Sequence, residues 1–216
     1  MFGVLTKEGK VPYVSLDEFI DIDKMKYFSG YIHRQLHNKF LTQKNPPDYL
    51  IPFIKDKDLH SVFSTYYNDI PVEKSWLLVN EYLPELVNYL KETVMEDIHG
   101  IFVLEEKLGY NTSFHRDWGE DTTGEKHESE GLVPTEERAR KTSENWAWFR
   151  FSGSKRLYIS DIDGKNDISK RISVKSYGAY FNGLDYHGTH DLSSGFSIRL
   201  HGILKDNVRE KLGLDD

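Results

Sequence analysis

The sequence predicts a mainly β fold with α-helices: an antiparallel sandwich or jelly roll with helices packed on one outer face. Two observations carry this. Up to residue 97 apolar residues recur at helical spacing, and from residue 98 short runs alternate apolar and polar between tight turns. A chain of 216 residues is long enough for one domain with a sizeable core. Residues 1–216 are therefore expected as a single domain. It has a helical support region over 1–97, a β core over 98–204, a long polar loop over 119–144 and a C-terminal helix over 205–216. The apolar fraction is only 38%, but 13 Tyr, 12 Phe and 4 Trp supply bulky core material.

Each element has its own signal. Residues 16–40 carry Phe19, Met25, Phe28, Ile32 and Leu36 at roughly helical spacing, with Ser15 available as the N-cap. NPPDYLIPF is a loop by its prolines, and LHSVFSTYYND reads as a short helix. Residues 72–97 form a second helical stretch, entered or kinked at Pro84. Residues 98–117 read as two strands separated near Lys107–Gly109. ENWAWFRFSG and SKRLYISD read as a hairpin turning at Ser152–Gly153–Ser154, and DGKND as a further turn. Alternation resumes over 168–188, SGFSIRLHGIL closes the series, and KDNVREKLG forms the last helix.

Composition excludes several classes. A formal net charge of −7 argues against a general nucleic-acid binder, which needs a basic footprint to displace phosphate counterions. The absence of cysteine removes disulfide scaffolds, thiolate metal sites and cysteine nucleophiles together. No segment reads as a signal peptide or a membrane span, so a cytoplasmic protein without membrane contact is the default expectation. The loop over 119–144 holds eight acids and four bases and almost no apolar residue, which suits either a lid or a solvated insertion.

The chemistry gathers in two places. NTSFHRDWGE puts His115 and Asp117 two residues apart, so on a strand both side chains point to one face. An imidazole and a carboxylate are ligands that a divalent iron site favours. FNGLDYHGTHDLSSGFSIRLHG then supplies His187 and His190, followed by Ser197, Arg199 and His201 in alternation. An arginine pointing into a barrel is costly unless it meets an anion, and its planar fork suits a carboxylate. Asn111 and Ser113 share the strand face of His115. Trp146, Trp148 and Arg150 share one face of their strand, as a substrate mouth or as an outer face under the helices. Trp118 is a candidate for gating the site. The histidines at 33, 37, 60, 99 and 127 have no partner pattern and read as surface or core residues.

HRD, a long interval, then YHG and SIRL together resemble the iron(II)/2-oxoglutarate-dependent oxygenase superfamily over about residues 98–204. The resemblance implies a double-stranded β-helix (jelly roll) buttressed by N-terminal helices. It implies iron(II) as cofactor, with 2-oxoglutarate and O2 as co-substrates. His115, Asp117 and His187 would hold the iron, with His190 as the alternate third ligand. Arg199 would bind the distal carboxylate of 2-oxoglutarate with Ser197 as helper. Neither histidine stands at the commonest spacing before Arg199, and His201 replaces the hydroxyl residue common two positions beyond it. Because Asp117 is a carboxylate, hydroxylation is implied over halogenation. The DNA-repair branch carries a second arginine where this chain has Lys205. The substrate implied is an amino-acid-type small molecule or a peptidyl residue, with Trp118, Asn111 and Arg150 as candidate lining residues. The competing reading is a non-catalytic jelly-roll metal- or ligand-binding protein.

Overall fold

The computed structural model describes residues 1–36, 60–64, 83–106, 111, 114–116, 145–161, 163–191 and 193–214. The expected loop over 119–144, with Asp117, Trp118 and Ser113, lies outside these residues, as do 37–40 and 72–82 of the expected helices.

Three short strands open the chain: β1 (Val4–Thr6), β2 (Gly9–Val11) and β3 (Tyr13–Ser15). α1 (Ile22–Leu36) follows, then β4 (His60–Ser64), α2 (Pro84–Thr93) and β5 (Met95–Glu106). The second half comprises β6 (Asn145–Gly153), β7 (Tyr158–Ser160), the one-turn helix α3 (Asp163–Asn166), β8 (Ile172–Ser173), β9 (Gly178–Asn182), β10 (Tyr186–Gly188), β11 (Gly195–Leu204) and α4 (Asp206–Leu212).

Two antiparallel sheets face each other. The larger runs β3-β9-β6-β11-β5-β4, and the smaller runs β10-β7-β8. An isolated antiparallel bridge between His115 and His187 adds the segment around residue 115 beside β10. From β6 onward the chain passes from one sheet to the other: β6 large, β7 and β8 small, β9 large, β10 small, β11 large. That winding is a jelly roll.

The two sheet faces have separate cores. Ala147, Phe149 and Phe151 of β6 pack with the buried faces of α1 and α2: Met25, Phe28, Ile32, Leu86, Val87 and Leu90. The alternate residues Trp146 and Trp148 pack between the sheets with Leu157, Ile159, Val174, Ala179 and Phe181. The tryptophan face of β6 is therefore the barrel interior, and the helices cover the opposite face. Tyrosines clasp the helical layer. The Tyr89 hydroxyl accepts the Asp21 N–H at 2.6 Å, and the Tyr31 hydroxyl accepts the Glu85 N–H at 3.3 Å.

Four expectations are corrected. The segment expected as a short helix contains β4, a strand paired along β5. HSVFS fits either period over so few residues, and the open edge of β5 decides it. The second helix ends at Thr93 and the strand period starts at Met95 rather than at residue 98, because β11 continues to Leu204 and pairs it with Met95. Bulges in β11 accommodate this. At one of them Gly202 lies so close to the Asp97 carbonyl that no Cβ would fit. β6 and β7 are not a hairpin. β6 pairs with β11 and β9 while β7 pairs with β10 and β8, and Gly153, at φ 81°, turns the chain from one sheet to the other. Finally, Ser15 accepts the Asp17 N–H ahead of a short 3-10 turn, whereas Asp21 caps α1, its carboxylate accepting the N–H groups of Asp23 at 2.8 Å and Lys24 at 3.0 Å. Asp21→Ala is expected to cost about 1 kcal/mol, read as a lower denaturant midpoint with an unchanged slope. Among the described residues no helix is long and apolar enough to cross a membrane.

Candidate metal centre

Sheet register lines up two of the candidate residues of β11 with the tryptophan face of β6. On β11, Arg199 stands opposite Trp148 of β6, and Ser197 stands opposite Arg150. Arg199 and His201 share the inner face with Trp146. The Arg199 guanidinium lies 4.4 Å from the Trp146 ring, and the His201 ring lies 4.9 Å from it. A cation over an indole face is favourable, more so away from water.

His115 and His187 meet across the barrel's smaller sheet. Their backbones exchange both hydrogen bonds, at 3.0 and 2.9 Å, and their ring centroids are 4.7 Å apart. His187 is buried, and Phe181 flanks its ring at 5.1 Å. Its Nδ1 lies 2.9 Å from the carbonyl oxygen of Asp185. A carbonyl only accepts, so Nδ1 carries the proton and Nε2 presents its lone pair. This is the arrangement in which a ligating histidine is oriented from behind by a hydrogen bond. Nε2 accepts from Nη1 of Arg199 at 3.0 Å. One lone pair cannot serve a guanidinium and a metal together, so a metal at Nε2 requires Arg199 to withdraw from it.

The other candidates are distributed as follows. The His190 ring lies tilted against that of Tyr158, ring centroids 3.7 Å apart, with Nδ1 3.4 Å from the Arg171 guanidinium. Burial holds its pKa below the ordinary histidine value. The structure thus pairs His187, not His190, with His115. Asn111 accepts a hydrogen bond from Nζ of Lys155 at 2.9 Å, and the same ammonium donates to the Asp191 carbonyl at 2.9 Å. Lys155 is buried and ties the segment before His115 to the β10–β11 connection. Arg150 lies 4.4 Å from the Tyr177 ring, and its Nε is buried without a hydrogen-bond partner among the described residues. Ser197 is buried beside it in the register.

His115 and His187 fit a divalent metal by donor chemistry: two imidazoles on paired segments, one held by its far nitrogen with Nε2 facing inward. Among the described residues no group of three His, Cys, Asp or Glu side chains gathers, and Asp117 lies outside them. The pattern of the sequence did not point to Asp185 or Lys155. A lysine after a Gly-Ser turn reads as solvated, and the part Asp185 plays toward His187 is taken by its backbone.

No family model and no curated protein matches this chain. Solved structures do resemble it. One is titled the structure of OsALKBH1, with 12% identity, TM-score 0.45, and coverage of 89% of this chain and 98% of that one. A Pseudomonas putida prolyl-4-hydroxylase matches with 9% identity and TM-score 0.43 over 89% of this chain and 92% of its own. AviO1 from Streptomyces viridochromogenes matches with 11% identity and TM-score 0.44 over 88% and 89%. At such identities the likeness is one of chain course, and the site stands on its own geometry.

Proposed function

We propose that this protein is an iron(II)- and 2-oxoglutarate-dependent oxygenase that hydroxylates a C–H bond of an amino-acid-type small molecule or a peptidyl residue. The observation that carries the reading is the His115–His187 pair, with Arg199 against Nε2 of His187 on the inner face of a jelly roll. His115, Asp117 and His187 would hold the iron. Iron, keto acid and dioxygen together would supply an oxidant able to take hydrogen from carbon, with succinate and CO2 as co-products. The chain's own residues bind, orient and exclude water. Arg199 offers its fork to the distal carboxylate, with Ser197 two positions away on the same strand face. Trp146, Trp148 and Phe181 wall the interior against water. Arg150, stacked on Tyr177, stands where β6 approaches its end and would meet the substrate. The net charge of −7 supports a substrate other than nucleic acid.

The Arg199–His187 contact favours one other reading, a jelly-roll binding protein in which these two side chains satisfy each other. Turnover separates the two. Protein reconstituted with iron(II), 2-oxoglutarate and air is screened against free amino acids and short peptides, with succinate release as the signal. Iron-dependent succinate release, raised by a matching substrate, is the expected result. Folded, iron-loaded protein that consumes no keto acid would overturn the oxygenase reading.

A further inference from the structure

The strand that bears His187 is three residues long and enters from a tight turn, so something outside the strand must hold its ring in place. Asp185 does this from two sides. Its backbone carbonyl accepts the Nδ1–H of His187 at 2.9 Å. Its carboxylate accepts the N–H of Phe2 at 2.6 Å and the N–H of Gly3 at 2.7 Å, a segment more than 180 positions away in sequence. Asn182, fully buried, completes the turn. Its Nδ2 donates to the Gly3 carbonyl at 3.1 Å, and its Oδ1 accepts the Leu184 N–H at 3.0 Å.

The same opening segment also approaches the residue that follows the other histidine. Arg116, next to His115, lies 4.2 Å from the Tyr186 ring and 5.9 Å from the Phe2 ring. Gly3 is required at its position: φ is 69°, and a Cβ there would stand 2.8 Å from the Val11 carbonyl oxygen. Two backbone N–H groups closing on one buried carboxylate form a short, charge-assisted clamp.

We infer that Asp185 is a positioning residue for the metal centre, and that Phe2–Gly3 is the latch that fixes it. The carboxylate immobilises the turn, and the immobilised turn carries the carbonyl that sets the tautomer and direction of the His187 ring. The inference rests on the metal-centre reading above. Groups that orient a ligating histidine typically contribute about 10–100-fold to metal affinity.

The test is a cobalt(II) titration of the full chain, reading both the dissociation constant and the visible ligand-field spectrum. Asp185→Asn keeps the size but turns an amide NH2 toward a backbone N–H. Gly3→Ala attacks the latch from the opposite side and keeps the question answerable if Asp185→Asn does not fold. Val87→Ala, a cavity in the helical layer, is the control for general loss of stability. Asp185→Asn and Gly3→Ala are expected to weaken cobalt(II) binding about 10–100-fold and to alter the spectrum, while folded Val87→Ala keeps the wild-type values. Wild-type affinity and spectrum in both latch variants would overturn the inference and leave the metal centre standing. Failure of wild-type protein to bind cobalt(II), or binding that survives both His115→Ala and His187→Ala, would overturn the metal-centre reading and the inference with it.

Discussion

His187→Ala is expected to lower iron(II) affinity by more than about 100-fold, because loss of a ligand exceeds the 10–100-fold cost of losing a residue that merely orients one. His190→Ala is expected to leave that affinity within a few-fold of wild type. The two histidines are close in sequence but differ in surroundings. His187 has Nδ1 spent on a carbonyl and Nε2 directed into the barrel beside His115. The ring of His190 is occupied by Tyr158, and Nδ1 faces a guanidinium, which repels a second cation. Losing the His190 ring costs that ring contact, about 0.5–1.5 kcal/mol of stability. Anaerobic iron(II) titration of both variants checks the pair. Equal loss in the two would contradict the assignment of the third ligand.

Arg199→Gln is expected to raise the apparent KM for 2-oxoglutarate by at least about 30-fold. Removing one partner of a buried, hydrogen-bonded charge pair costs about 2–5 kcal/mol, and each 1.4 kcal/mol is tenfold in affinity. Arg199→Lys keeps the charge without the planar fork and should fall between wild type and Arg199→Gln. The guanidinium lies against the Trp146 ring and Nε2 of His187. In the proposed reading, keto-acid binding would draw the guanidinium onto the distal carboxylate and leave Nε2 of His187 open to the metal. Succinate release measured against 2-oxoglutarate concentration reads the shift, and an unchanged KM in Arg199→Gln would remove the arginine from co-substrate binding.

Much of the architecture was legible in residue periodicity. Met25, Phe28 and Ile32 mark the buried face of α1, and the Trp146–Phe151 alternation is the two-faced strand β6. Alternation also predicted that Arg199 and His201 share a face, and both lie against Trp146. Periodicity says nothing about which sheet a strand joins. β6 and β7 therefore read as a hairpin, although Gly153 sends them to opposite sheets. β4 was lost to the ambiguity of a five-residue run whose fate depends on a partner edge.

Residue type and order singled out His115, His187 and Arg199 as candidates, while the surroundings that distinguish His187 from His190 came only from packing. The support behind His187 was hidden for a physical reason. A backbone carbonyl has no residue identity, and the carboxylate that anchors it finds its donors at the opposite end of the chain. Lys155 was hidden too, since a lysine in a turn reads as exposed until its ammonium is seen between Asn111 and the Asp191 carbonyl.

The proposed centre is an iron held by His115, Asp117 and His187, with its keto acid at Arg199. The most direct test is the visible charge-transfer absorption of the protein mixed anaerobically with iron(II) and 2-oxoglutarate. The expected result is a weak band that needs both components, is lost in His115→Ala and His187→Ala, and persists in His190→Ala. A folded, iron-loaded wild-type protein that shows no band with 2-oxoglutarate would overturn it and leave the non-catalytic metal- or ligand-binding jelly roll as the better reading.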